Sequence, residues 1–253
     1  MSDPATRLYV PDLLGPRKTI LLDPDRAHFL RHVLRLEDGD TVALFNGRDG
    51  EWAGTVHFQG KNSVTVTLQN QIRVQNTLPE IRLLFAPVKK DRMDFIIEKA
   101  TELGVTHLQP VLTERTQVGR VNTDRLRSQA IEAAEQCERL SVPVVQEPED
   151  LAALLSRWPA GQTLFLCAEA GESVPLAKAF GEAPQGPATF LVGPEGGFSP
   201  QELALLRNQP FVMPVHLGPR ILRAETAVAA ILSCWQAIRG DWQSAPRQNI
   251  RNI

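Results

Sequence analysis

The chain has 253 residues, of which 43% are hydrophobic and 22% charged, with a formal net charge of −2. That length suits one large domain or two small ones with room for a buried core, and the composition excludes a disordered or low-complexity chain. The charge balance excludes a protein that is basic throughout, so any grip on nucleic acid has to come from local patches.

Cys137, Cys167 and Cys234 are widely spaced and form no disulfide framework. No grouping of His, Cys and carboxylates has metal-ligand spacing, so no metal is expected. His57, His107 and His216 are scattered and read as core or edge histidines. The apolar stretch 227–238 is interrupted by Ser233 and Gln236 and is too short to span a bilayer. The opening Met1-Ser-Asp-Pro-Ala-Thr-Arg7 has no apolar run of the signal-peptide kind. A cytoplasmic protein without a membrane partner is expected.

In chain order, residues 1–72 are β-rich, with strands expected at 7–10, 19–22, 41–45, 51–56 and 63–68. Turn signals such as Asn46-Gly47 and Asp49-Gly50 separate them. Many short strands at this spacing predict a small barrel. One helix is expected over 25–36, with Arg31 and Arg35 on a shared face, His28 and His32 alongside, and Phe29, Leu30, Val33, Leu34 and Leu36 on the buried side. Such a basic edge fits either a solvated face or a nucleic-acid contact.

A linker is expected over 71–80, followed by alternating strands and helices across 76–243. Strands are expected at 81–86, 107–112, 142–145, 163–169 and from 188. Helices are expected at 91–103, 124–138 and 150–158. Met93, Ile96, Ile97, Ala100 and Leu103 line one side of the first of these helices. This alternation predicts an α/β domain with a mainly parallel sheet covered on both faces. Lys89, Lys90 and Arg115 follow strands and could frame one rim that holds phosphates.

Two strand-to-helix junctions follow each other between 188 and 230. In the first, an apolar run ends at Gly193, a Pro-Glu-Gly-Gly loop follows, and Ser199, Pro200 and Glu202 form a capping-box helix start. In the second, a strand runs through Gly218 to Arg220 and Arg223 and into an alanine-rich helix expected over 222–239. Glycines here let backbone approach a ligand closely, and open α/β sheets place ligands at the carboxyl ends of their strands. One site built from both loops is expected.

The stretches Leu191-Val-Gly-Pro-Glu-Gly-Gly-Phe-Ser199 and Leu217-Gly-Pro-Arg-Ile-Leu-Arg-Ala-Glu-Thr-Ala227 resemble the two signatures of the bacterial small-subunit rRNA uridine N3-methyltransferases, in the knotted SPOUT superfamily. Lys99-Ala-Thr-Glu-Leu-Gly-Val105, Glu114-Arg115, Glu135-Gln136 with Arg139, and Arg31-His-Val-Leu-Arg35 extend the resemblance over nearly the whole chain. The resemblance implies a PUA-like RNA-binding barrel over 1–72 and a C-terminal trefoil-knotted α/β domain over 76–243. It also implies a homodimer, S-adenosyl-L-methionine as cofactor, and a uridine of 16S rRNA in the assembled 30S subunit as substrate.

The resemblance places Cys167, Ala168, Glu169, Leu191, Gly193, Pro194, Glu195, Gly196, Gly197, Leu217, Gly218, Ile221, Leu222 and Arg223 at the cofactor. It brings the loops after Ala168, Val192 and Leu217 into one pocket. Arg7, Arg31, Arg35, Lys89, Lys90 and Arg115 are the expected RNA contacts. Arg223 is the expected cation over the uracil oxygens, where it would stabilise an imidate. Glu225, Glu195 or bulk water would take the N3 proton, and the residues do not choose among them. A ribose 2′-hydroxyl methyltransferase and a noncatalytic RNA-binding assembly factor are the rival readings.

Overall fold

A computed structural model describes residues 3–60, 63–168, 171–184 and 186–244. Its chain divides into two units: the described residues of Met1–Thr77 with Ala134–Val142, and those of Leu78–Ala133 with Pro143–Arg247.

The first unit holds β1 (Arg7–Tyr9), β2 (Thr19–Leu22), α1 (Pro24–His28), β3 (Thr41–Phe45), β4 (Glu51–Gln59) and β5 (Ser63–Arg73). They form one sheet in the order β1-β3-β4-β5-β2. β1 pairs parallel with β3, and the other pairings are antiparallel. Alternation decides which side chains enter the core: Ile20 and Leu22 of β2 are buried, while Thr19 and Leu21 face out. Leu8, Leu30, Val42, Leu44, Val56, Val64, Val66 and Leu68 complete that interior.

The helix expected over 25–36 is shorter and of two kinds. It starts at Pro24 behind an Asp23 cap, whose carboxylate accepts the Arg26 N–H at 2.9 Å. From Phe29 to Val33 it widens into a π turn, and Arg35 then takes a left-handed conformation with φ 56°. The face expected to carry both Arg31 and Arg35 is therefore broken. The wider turn leaves Leu30 buried but turns Phe29 and Val33 outward. The linker is also shorter than expected, because β5 continues through Arg73 and pairs with Trp52 and Glu51.

Arg7, expected on RNA, is spent internally. Its Nε donates to Glu51 Oε1 at 2.7 Å, and the two side chains are only 12% and 3% exposed. Its Nη1 donates to the carbonyls of Ala134 and Glu135, and its Nη2 to that of Arg139. The guanidinium also lies 4.1 Å from the centre of the Phe45 ring. A cation engaged through Nε, Nη1 and Nη2 in this way holds the unit together and is spent on the protein's own oxygens.

The second unit runs β6 (Ile81–Phe85), α2 (Lys90–Glu102), β7 (His107–Leu112), α3 (Thr123–Gln136, its residues from Ala134 on counted with the first unit), β8 (Val144–Val145), β9 (Glu149–Asp150) and α4 (Leu151–Ser156). It continues with β10 (Leu164–Cys167), β11 (Val174–Pro175), α5 (Leu176–Glu182), β12 (Ala188–Val192), α6 (Pro200–Arg207), β13 (Val212–His216) and α7 (Ala224–Ile238). The sheet order is β11-β13-β10-β12-β6-β7-β8, with β9 beside β7, and every pairing is parallel.

Helices cover both faces, and the strands show why. Phe165 and Phe190 project to one side, against Phe180 of α5 and Trp235 of α7. Leu164, Leu166 and Leu191 project to the other, against Leu154 and Leu155 of α4 and Leu206 of α6. Among the described residues no helix is long and apolar enough to cross a membrane.

Replacing Arg7 with Ala removes one of the two cations on the buried Glu51 carboxylate, the other being Arg73, whose Nη1 lies 3.3 Å from Oε2. Such a loss costs about 3 kcal/mol, which urea unfolding of the variant will show. A stability within about 0.5 kcal/mol of the parent would mean that Arg7 is not structural.

Candidate cofactor cavity

Three loops at the carboxyl ends of β10, β12 and β13 enclose a cavity of about 350 Å³. The first supplies Cys167 and Ala168, the second Val192 to Pro194 and Gly196 to Phe198, and the third Leu217 to Leu222. Leu203, Val215, Ala224, Ala227 and Arg115 complete the lining. β12, β10 and β13 are neighbours in the sheet although they are not consecutive in sequence, so their ends meet.

Local chemistry fixes the second loop at both ends. Ser199 Oγ accepts the Glu202 N–H at 3.2 Å, and Glu202 Oε2 accepts the Ser199 N–H at 2.8 Å, so α6 begins at Pro200 as expected. The second oxygen of Glu202 accepts the Glu114 N–H at 2.8 Å. Within the loop the Gly197 N–H donates to Pro194 O at 2.9 Å. Arg115 Nη1 donates to Gly196 O at 2.9 Å.

Gly193 is required by close approach. A Cβ there would lie 2.7 Å from Phe198 Cε2 and 2.9 Å from Cζ. The third loop turns at Gly218, where φ is +97°, a region side chains rarely adopt. The Gly218 N–H donates to His216 Nδ1 at 3.4 Å, and that histidine is not part of the lining.

Of the residues expected at the cofactor, Cys167, Ala168, Gly193, Pro194, Gly196, Gly197, Leu217, Gly218, Ile221 and Leu222 line this cavity. Leu191 does not: it is fully buried in the sheet core, because alternation turns it to the α4 and α6 side. Glu195 points away and forms an ion pair with Arg92. Arg223 is the exposed N-cap residue of α7 and is absent from the lining. Glu169 lies outside the described residues.

Arg115, expected among RNA contacts, instead lines the cavity and braces the glycine loop. Arg220 is the other cation in the lining, and nothing in the sequence separates it from Arg223, three residues on. Lys89 and Lys90 stand exposed where α2 begins. On the first unit, Arg31 lies 4.5 Å over the Phe58 ring, and the His28 and His32 rings sit 4.6 Å apart.

One carboxylate stands next to the cavity residue Ala224. Glu225, in the first turn of α7, has a side chain only 15% exposed, and Arg92 Nε lies 3.8 Å from its Oε1. Its Oε2 is buried with no hydrogen-bond partner among the described residues. The interior walls are apolar and the polar groups on the loops are mainly backbone. That combination suits a flat heteroaromatic ligand recognised by backbone hydrogen bonds. Among the described residues no His, Cys and carboxylate group could hold a metal ion.

This is the architecture of an α/β transferase whose ligand sits at the strand ends. Two families match: RNA methyltransferase domain over residues 75–236 and RNA methyltransferase PUA domain over residues 22–69. Ribosomal RNA small subunit methyltransferase E of Rickettsia conorii is 34% identical over 90% of this chain and 93% of its own. Its namesake from Synechocystis is 34% identical over 85% of this chain and 72% of its own. A crystal structure of ribosomal RNA small subunit methyltransferase E from Neisseria gonorrhoeae, bound to S-adenosyl methionine, superposes with a TM-score of 0.82. It is 30% identical and covers 94% of this chain and 99% of the other. The chain belongs to the ribosomal RNA small subunit methyltransferase E family.

Burial pushes the Cys167 thiol up to about 12, whereas Cys137 is exposed. Because the thiolate is the reactive form, Cys167 will be alkylated by iodoacetamide at pH 8 at least about 100-fold more slowly than Cys137. Mass spectrometry of a timed reaction measures this, and equal rates would contradict the raised thiol of the half-buried Cys167.

Proposed function

We propose that this protein transfers a methyl group from S-adenosylmethionine to N3 of a uridine in the decoding region of 16S rRNA, within the assembled small ribosomal subunit. The reading extends to a cytoplasmic homodimer whose residues 1–72 bind RNA and whose residues 76–243 form a trefoil-knotted catalytic domain. The single observation that carries it is the convergence of the two signature loops on one cavity. Family membership and the name of the relatives supply the rRNA substrate.

The residues present fit this cofactor. Gly193, Gly196, Gly197 and Gly218 expose backbone groups to hydrogen-bond an adenine edge, and Leu217, Ile221 and Leu222 give it apolar walls. When bound, the cofactor supplies an electrophilic methyl on a sulfonium. The rest is positioning and electrostatics by the protein. Arg223 stands exposed between Leu222 and Ala224, both at the cavity, where its charge stabilises the oxygens of an N3-deprotonated uracil. The positive end of α7 adds to that effect. Glu225, half-buried in the same turn, accepts the N3 proton. Arg31, Arg35, Lys89 and Lys90 contact RNA phosphates; Arg7 and Arg115 leave that set because their guanidiniums hold the protein's own carbonyls.

Mass spectrometry of rRNA from a deletion strain, with and without this gene restored, tests the reaction. A 16S uridine methylated at N3 only on restoration is the expected result; a 2′-O-methyl mark or no mark would overturn it. Arg223→Ala should slow methyl transfer on the order of 100-fold while cofactor affinity stays nearly constant, and collapse of cofactor binding would make it a pocket residue instead. Gly193→Ala should weaken cofactor binding about tenfold by calorimetry, equivalent to about 1.4 kcal/mol, because its methyl displaces the Phe198 ring. Neutralising Lys89 and Lys90 together should flatten the salt dependence of RNA binding. An unchanged slope would remove them from the RNA surface.

A further inference from the structure

Among the described residues, the cavity at the strand ends is lined by two cations, Arg115 and Arg220, and by no carboxylate. Elsewhere Arg7, Arg73, Arg82, Arg92 and Arg125 each pair with a carboxylate of the protein. Arg115 has no such partner among the described residues, although it forms part of the cavity wall. A positive wall without a counter-charge of its own suits a ligand that brings a negative group.

Arg115 is also held in place by the protein itself. It follows β7 in a turn closed by two bonds: the Thr116 N–H donates to Thr113 O at 3.0 Å, and Thr116 Oγ1 accepts the Thr113 N–H at 3.0 Å. The neighbouring Glu114 N–H donates to Glu202 Oε1 at 2.8 Å, which ties this turn to the start of α6. The Arg115 stem runs beside Gly196, where an added Cβ would lie 3.7 Å from both its Cβ and its Cδ. Its Nη1 donates to Gly196 O at 2.9 Å, and Nε and Nη2 have no partner among the described residues. Those two nitrogens form one edge of a planar fork that matches the two oxygens of a carboxylate. A binding group fixed beforehand loses less freedom when the ligand arrives. Arg220, exposed on the third loop, has no hydrogen bond or ion pair among the described residues to fix it.

We propose that Arg115 determines specificity for the amino-acid end of the methyl donor: the free edge of its guanidinium takes the donor's carboxylate while Nη1 stays on Gly196. The proposal rests on the methyltransferase reading above. S-adenosylmethionine carries a sulfonium, an ammonium and a carboxylate, and the carboxylate is the one group of the three that a guanidinium attracts. Backbone groups and apolar walls recognise a heteroaromatic ring but do not separate the whole donor from an analogue lacking that carboxylate. Arg115 supplies the distinction, because the analogue leaves its donors without the partner they are set to meet. No bond is made or broken through Arg115; its work is recognition.

The test compares, by calorimetry without RNA, binding of S-adenosylmethionine and of its decarboxylated form, which keeps the adenine, ribose, sulfonium and amine. The parent should prefer the whole donor on the order of 10- to 100-fold, the range of hydrogen bonds to a charged group. Arg115→Ala should remove most of that preference: the whole donor weakens by nearly the full factor, and the decarboxylated form only by what the lost brace on Gly196 costs. Arg115→Lys, a cation without the fork, should fall between the two. Arg220→Ala should keep the preference, whatever it costs both ligands together.

Equal weakening of both ligands in Arg115→Ala would show that Arg115 only braces the glycine loop, and would overturn its part in recognition. Loss of the preference in Arg220→Ala, with its retention in Arg115→Ala, would put the carboxylate on the third loop and overturn the proposal too. So would a parent that binds the two ligands equally. A parent that binds neither would sink the methyltransferase reading itself, which sets that failure apart from the others. Should Arg115→Ala not fold, Arg115→Lys carries the comparison, and a preference in it equal to the parent's would overturn the proposal.

Discussion

At Gly193 the chain passes so close to the ring of Phe198 that a methyl group could not be added without moving one of them. That approach closes the glycine loop back on the sheet, and the other features of the cavity depend on it. The Ser199 and Glu202 capping box can start α6 only where this bend delivers the chain. Arg115 can reach Gly196 only while the loop stays folded over. The constraint is steric at its root, and the hydrogen bonds then hold what the contact has set. A cavity made this way offers backbone rather than side-chain polarity, which is why glycines and not charged residues dominate its wall.

Charge is deployed with the same economy. A chain of net charge −2 cannot rely on a general positive field to hold RNA. Several of its arginines are engaged by the protein itself: Arg7 inside, on Glu51 and three carbonyls, and Arg115 and Arg92 nearer the surface, on the glycine loop and on carboxylates. Other basic groups, such as Lys89, Lys90 and Arg223, stay exposed. Their position matters more than their number, and specificity has to come from shape as much as from phosphate attraction.

Much of this was legible in the sequence. Parallel strands wholly inside a sheet write largely apolar runs, so 81–85 and 188–192 announced themselves. The capping box at Ser199 is a local pattern and was readable to the residue. β9, β11 and α5 were not, because two-residue strands and a seven-residue helix carry no periodicity to detect. The π turn at Phe29–Val33 was hidden for a related reason: its apolar content matches an α-helix, and only tertiary packing selects the wider winding.

Among site residues, glycine spacing gave the cavity wall. Side-chain direction was out of reach, since nothing local says that Leu191 turns into the core, that Glu195 turns to Arg92, or that Arg220 rather than Arg223 joins the lining. Arg7 shows the same limit from the other side. A surface-looking arginine at the start of a strand was claimed by carbonyls more than a hundred residues away.

The central claim is that the three strand-end loops jointly enclose the methyl donor. A crystal structure of the protein soaked with S-adenosylhomocysteine tests it most directly. Density for the ligand between the glycine loop and Leu217–Leu222, with its adenine against backbone of both, is the result this account requires. Density at any other place, or a cavity that stays filled only by solvent at saturating ligand, would contradict it.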